Sequence, residues 1–598
     1  MKKLLYILIS VVSLGFCLQS CFDLNEEIFN RVSSTTYYKD EASVKGAIAS
    51  TYREACMSYV EYFMYLAEFP SDQIAWRVWN GGSWGYDNGE KYVLSIHNWN
   101  SSAVIIRQAW NTAWTTIGQC NLIIEDLENI SPESMGMTAA AVNNYIAEAR
   151  MLRAWAYYNV FEAWGGAIPI YTSADVSQLP ASASAEGDFN AGCKKVYNFI
   201  MEELDACLND LPKNRSERMN QAMNRVLKAR MLLNAQVFIQ EDHFSECATL
   251  CESIISGAFG NYSIATDYRD IFSIGNQNCP EVIFAYASAP SQLDPTNTRN
   301  MTSLPYNIWE YLGGTYTSRS GWNCTCMVPS YDNSGNVNTW GGTDSPVCFL
   351  DPPYNDKLGA PYERFNDKDI RKQNFWWTSG TKDWEGLFLR GPMLNRTTGV
   401  SLKADADRDG EDLVYVDQVG TFKNRGRALE TVMSSRWGET NSGIRMIKYP
   451  MAPQSFEFRN IYEVEFRLAE VVYMLAECRM RAGNANAAKD LINSVRQRYF
   501  SPEDWAGIKD NPYRPFATFD IDWVLSEWGL EYMFEGRRRR TDLRRFDKFT
   551  QGQWWFFGRA TEEGSLLPAK RDRKYEWYPL PENALMVNPN LVQNPAYN

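Results

Sequence analysis

A mostly α-helical protein is what this chain of 598 residues predicts. Its scaffold is expected to be tetratricopeptide-like helix pairs, carrying a loop-rich, irregular lobe with short strands. Three observations point there. Stretches with apolar residues at three- and four-residue spacing occupy both flanks. Four of them pair into two helix–turn–helix units of about 35 residues, the period of tetratricopeptide-like arrays. Between about 260 and 460 the composition turns to Gly, Asn, Pro, Trp and Tyr, where no such periodicity runs.

The chain opens with "MKKLLYILISVVSLGFCLQSC". Lys2 and Lys3 precede an apolar run from Leu4 to Phe16, too short to span a bilayer, which reads as a secretory signal over residues 1–20. "LQSC" resembles a bacterial lipobox, in which small Ser20 precedes the cut and the Cys21 thiol accepts the lipid. Cys17 competes, but bulky Phe16 stands before it. The mature chain, 21–598, would then be held at a membrane by several acyl chains.

The first helices follow from "VIIRQAWNTAWTTIGQCNLIIEDLENI", with Trp110, Trp114, Ile117 and Ile124 on one face. Its partner, "AVNNYIAEARMLRAWAYYNVFEAW", aligns Met151, Ala154, Trp155, Tyr158 and Phe161 and stops at Gly165, Gly166 and Pro169. A third, around Val196, Ile200, Leu204, Cys207 and Leu211, ends at Pro212. "MNRVLKARMLLNAQVFIQ" with "FSECATLCESIISG" forms one helix–turn–helix; "FRLAEVVYMLAECRMRAG" with "ANAAKDLINSVRQRY" forms another, around Gly483 and Asn484. The scaffold thus covers about 40–260 and 460–550. The lobe between, about 260–460, carries only short strand-like pieces such as "EVIFAYAS" and "LVYVDQV".

Composition excludes several functions. The net charge of −13 opposes a nucleic-acid surface. "RRRR" at Arg537–Arg540 is flanked by Glu531, Glu535, Asp542 and Asp547 and reads as a helix carrying salt bridges. Two histidines, His97 and His243, supply no zinc or triad motif. Cys247 and Cys251, one turn apart on an apolar face, suggest buried thiols. Cys324 and Cys326 in "NCTC" are metal ligands, a strained bridge or a chance pair. The 21 Trp and 33 Tyr exceed what a plain helical scaffold needs, which makes a ligand surface plausible.

Four segments in order carry a resemblance: "AEARMLRAWAYYNVFEAWGGAIPIY" (Ala147–Tyr171), "FRLAEVVYMLAECRMRAG" (Phe466–Gly483), "LSEWGLEYMFEGRRRRTDLRRFDKF" (Leu525–Phe549) and "YPLPENALMVNPNLVQNPAYN" (Tyr578–Asn598). With the lipobox, the chain resembles the RagB/SusD nutrient-binding outer-membrane lipoproteins over nearly all its mature length. Asp23, Glu26 and Glu27 resemble the acidic signal that sends such lipoproteins to the cell surface. The resemblance implies a non-enzymatic binder that catches oligosaccharides and passes them to a SusC-like TonB-dependent transporter. It also implies that Glu148, Arg150 and Arg153 are scaffold. The loop-rich centre carries no match, so the ligand is open. The alternatives are an oligopeptide ligand within the same family and a surface glycoside hydrolase.

Candidate ligand residues come from aromatic loops. "IAWRVWNGGSWGYDNGE" places Trp76, Trp79, Trp84 and Tyr86 among turn formers; the rings either fold back onto a core or face a ligand. Sugar C–H faces stack on such rings, and Asp72, Asn80 and Asp87 could hydrogen-bond hydroxyls. In the lobe Tyr316, Trp322 and Trp340, each beside glycines and small polar residues, are a second set. Asp405, Asp407 and Asp409 with Gly410 match the opening of an EF-hand-like calcium loop, but Val416 stands where its glutamate belongs. That stretch is either a calcium site or an acidic turn. No cofactor is expected to be required.

Overall fold

The computed structural model describes residues 37–76, 89–95, 97–175, 177–214, 216–288, 295–304, 307–313, 321–328, 348–350, 361–379, 382–404, 412–415, 443–450, 461–513, 516–535, 538–552, 554–556, 568–569 and 571–598. The fold is mostly helical with a few short strands.

Ten helices make the frame. These are α1 (Glu41–Met57), α2 (Val104–Asn129), α3 (Ala139–Trp164), α4 (Phe189–Cys207), α5 (Gln221–Leu233), α6 (Phe244–Ile255), α7 (Leu468–Arg481), α8 (Ala485–Arg496), α9 (Ile521–Glu531) and α10 (Arg539–Arg545). Their starts are written in the sequence. Thr138, Asp188, Asn220, Asn484 and Asp520 each stand at an N-cap and accept a hydrogen bond from a backbone N–H of the first turn. The stop of α3 is equally local. Gly165 takes a left-handed φ of 58°, and a Cβ on Gly166 would lie 2.3 Å from the Phe189 carbonyl oxygen.

From α1 to α8 each helix packs on the next, and α6 packs on α7 although residues 256–467 separate them. An antiparallel pair closes that separation at its base. β2 (Val282–Tyr286) lies beside β6 (Glu463–Arg467), with Tyr286 opposite Glu463 and Val282 opposite Arg467. The intervening stretch therefore leaves and re-enters the helical frame at one neck. Other ladders are short: β4 (Phe388–Leu389) with β5 (Arg445–Met446) within that stretch, and β3 (Thr325–Met327) of that stretch with β1 (Ile74–Trp76), which comes from before α2. Residues 348–350, 554–556 and 568–569 form a three-stranded sheet.

α3 departs from the amphipathic reading. From Ala147 to Trp164 every residue but Arg150 is buried, because α2 and α4 flank it and the C-terminal stretch covers it. Tyr578 N–H donates to the Ala163 carbonyl (2.8 Å) and the Trp164 indole to the Pro579 carbonyl (2.8 Å). Helix α3 is the axis of the core. Among the described residues no helix is long and apolar enough to cross a membrane.

Candidate functional site

The β1–β3 ladder organises the aromatic segments. Ile74 faces Met327, Ala75 faces Cys326 and Trp76 faces Thr325, antiparallel. The chain leaving Trp76 toward Trp79, Trp84 and Tyr86 therefore departs from the end where the chain carrying Tyr316 and Trp322 arrives. Two segments more than 200 positions apart in the sequence share one root. That root is fixed on both sides: Val328 N–H donates to the Gln73 carbonyl (2.9 Å), and Met327 N–H to the Ile444 carbonyl (2.9 Å). The Gln73 amide donates to the Gly529 carbonyl of α9 (2.8 Å). A Cβ on Gly529 would lie 2.5 Å from that amide nitrogen, so glycine permits the contact.

Two expected ligand residues prove to be core. Trp76 is 1% exposed; its ring lies among Tyr65 and Phe69, with the Lys91 ammonium 5.1 Å from the ring centre. All three residues of β1 are buried, so both faces of the strand are covered and Trp76 has no route to solvent. Asp72 is buried and held by Arg539 (2.7 Å) and Arg364 (3.4 Å). Burial alone would raise its pKa, but the Arg539 and Arg364 charges hold the carboxyl below its ordinary value. It anchors the root of the loop instead of reaching a sugar.

Trp322 is half-buried against the core at the head of β3, its N–H donating to the Met301 carbonyl. Asn323, next to it, takes a left-handed φ of 55° and accepts from Arg445 (2.8 Å). Trp79, Trp84, Tyr86, Tyr316, Trp340, the acidic Asp405, Asp407 and Asp409, and Cys21 lie outside the described residues. Among the described ones no cluster of three His, Cys, Asp or Glu side chains is placed to hold a metal. Cys324 and Cys326 are buried, as are Cys247 and Cys251. His97 is buried, its ring 2.7 Å from the Pro70 carbonyl, and burial pushes its pKa down to about 3. His243 sits between Glu246 and Glu241 near the surface.

The sequence did not disclose the charge lattice beneath the ladder. Arg467 of β6 pairs with Glu281 (2.9 Å), Glu531 (2.7 Å) and Glu535 (2.5 Å). Arg498 and Arg371 also reach Glu531, and Lys448 reaches Glu535. Burial would raise Glu531, but Arg467, Arg498 and Arg371 hold it far below the usual carboxylate range. The arginine run is paired separately: Arg538 meets Glu470, Arg539 meets Asp72 and Arg540 meets Glu162. These are salt bridges, as the sequence suggested, but their acids come from distant helices and loops. Arg153 and Arg150 pair with Glu203, and Glu148 with Arg218, so all three serve the scaffold.

Residues 280–597 match the model of the SusD family, and residues 30–229 a second model described as starch-binding, associating with the outer membrane. The starch-binding protein SusD of Bacteroides thetaiotaomicron is 23% identical over 545 residues, covering 89% of this chain and 84% of its own. A SusD-like protein, P38, of Formosa agariphila is 25% identical, covering 98% and 97%. Surface glycan-binding protein A from Bacteroides fluxus has the same fold, with a TM-score of 0.59 at 17% identity over 93% of this chain and 99% of that one.

Proposed function

This chain belongs to the SusD family, and from that premise we propose that it is a cell-surface lipoprotein that captures oligosaccharides. It would hold them without cleaving them and hand them to a TonB-dependent transporter in the outer membrane, with Cys21 as its lipid anchor. The observation that carries the reading is the β1–β3 ladder. It gives two aromatic, glycine-rich segments one rigid root, and functional residues favour loops held on rigid scaffolds. Rings supply stacking faces for sugars. A dissociation constant on the order of 0.1–1 mM, about 4–5.5 kcal/mol, would suffice, because tethering beside a transporter makes hand-over partly intramolecular.

Among the described residues, the two acids raised furthest above their ordinary values are not exposed to a ligand. Glu68 and Glu463 are pushed up to about 8 and about 7, chiefly by burial, and each is 0% exposed, out of reach of a glycosidic bond. The test is incubation of the purified protein with a panel of oligosaccharides, maltoheptaose included. Binding to at least one sugar, with every chain length unchanged after many hours, is the expected result. New reducing ends, lost in a single-carboxylate variant, would establish a hydrolase instead.

A further inference from the structure

A cleft of about 1120 Å³ opens between α1, α3 and the end of β2. It shares no lining residue with the β1–β3 ladder. One face of α1 makes its floor, where Gly46, Ala49 and Ser50 leave room above Ile48. Its far wall is already satisfied. Arg218 pairs with Glu148 (2.5 Å) and lies 5.4 Å over the Tyr145 ring, while the Tyr145 hydroxyl donates to Glu41 (2.8 Å). Arg53, by contrast, lines the cleft with no ion-pair partner among the described residues. An occupant with apolar side chains and a carboxylate would complement it.

The chain itself supplies such an occupant. The described residues begin at the cleft's rim: the Tyr37 hydroxyl stands 3.9 Å from where a Cβ on Gly46 would lie. Upstream runs "FDLNEEIFNRVSSTT", Phe22–Thr36, in which Phe22, Leu24, Ile28 and Phe29 alternate with Asp23, Glu26 and Glu27. The second family model begins at residue 30, ahead of Tyr37, so the family's own domain includes part of this stretch.

We propose that Leu24–Thr36 docks in this cleft, with Ile28 and Phe29 on the small-residue floor and Glu26 and Glu27 toward Arg53. The consequence rests on Cys21 being the anchor; the docking does not. Undocked, the stretch from Cys21 to Tyr37 could reach about 50 Å at roughly 3.3 Å per residue. Docked, only Phe22 and Asp23 are slack. The N-terminal end of α1 is then held close to the membrane, and the protein stands in one orientation beside its transporter.

Limited proteolysis of the full mature chain by thermolysin, which cuts before Ile28 and Phe29, tests this without any sugar present. Its failure would leave glycan capture standing. Those cuts should be at least tenfold slower than in a synthetic peptide of residues 22–40. Ala49→Trp, which fills the floor, should bring them to the peptide's rate with the melting temperature kept. Should that variant not fold, Arg53→Glu carries the test: it should speed the cuts about threefold, and Glu26→Arg with Glu27→Arg should restore protection. Cuts at the peptide's rate in the wild type would overturn the proposal. So would protection indifferent to both variants, or protection that appears only on adding oligosaccharide or raising the protein concentration.

Discussion

The helical frame and the lobe inserted into it are held by different forces. In the frame, α2 and α4 bury apolar stripes against α3, which is buried on nearly every side, and several boundaries are set locally, such as Asn220 at the start of α5 or Gly165 after α3. In the lobe and its neck the strands are two to five residues long, and what fixes them is charge paired across the chain. Arg467 meets Glu531, Arg539 meets Asp72, and Arg364 reaches the same Asp72 from inside the lobe. Local pattern builds the frame; remote pairing positions the site.

The comparison breaks first at its hub. Arg467→Ala would take one partner from each of Glu281, Glu531 and Glu535, all buried, leaving Arg498, Arg371 and Lys448 to hold them. Removing one partner of a buried pair costs about 3–5 kcal/mol, and with three carboxylates affected at once the loss should lie at the upper end of that range. Against a total stability of about 5–15 kcal/mol, the variant should fail to fold or unfold at a clearly lower urea concentration than wild type. An unchanged urea midpoint would show that the neck does not depend on charge.

Trp76→Ala is the next largest effect. The ring is core, so the cost should be about 3–5 kcal/mol, read as a lowered midpoint in urea. An unchanged midpoint together with weaker sugar binding would return Trp76 to the ligand surface.

Legibility follows the same division. Every helix read from periodicity in the flanks is present, because the apolar repeat is local, and in several of them a cap such as Asp188 or a stop such as Gly165 lies beside it. "EVIFAYAS" is also there, as β2. Trp76 and Asp72 prove core for different reasons: Asp72 precedes the strand and is held by the remote Arg539 and Arg364, whereas Trp76 lies in β1. Glycine-rich flanks mark a loop, but the three-residue strand at its edge is covered on both faces, and only its pairing with Thr325–Met327 reveals it. The acids that serve the arginine run were equally hidden. Asp72 and Glu162 lie more than 370 positions from Arg539 and Arg540, and no local spacing connects them. Their one trace was a surplus of arginine in an apolar stretch, a hint that those charges are buried.

Glu68 sharpens the comparison at a smaller scale. It is buried among Arg299, Arg539, Asp542 and Asp72, and neither carboxylate oxygen has a hydrogen-bond partner among the described residues. Burial raises its pKa from 4.5 to about 8. The folded state thus holds its proton where the unfolded state has lost it. This contribution to stability is fully present below about pH 4.5 and is lost as pH rises through about 8. Glu68→Gln should remove that dependence, changing the slope of stability by on the order of 1 kcal/mol per pH unit between those limits. Parallel stability–pH curves for the two proteins would show that Glu68 does not titrate in this range.

The central claim is that sugar is held by aromatic segments rooted on the β1–β3 ladder rather than by the ladder's own buried residues. Calorimetric titration of Trp79→Ala combined with Trp84→Ala, beside a thermal melt of the same protein, tests it most directly. Each aromatic contact contributes roughly 0.5–1.5 kcal/mol beyond area burial, so the double variant should bind the cognate oligosaccharide about tenfold more weakly and melt within a degree or two of wild type. Wild-type affinity, or a melting point many degrees lower, would contradict the account.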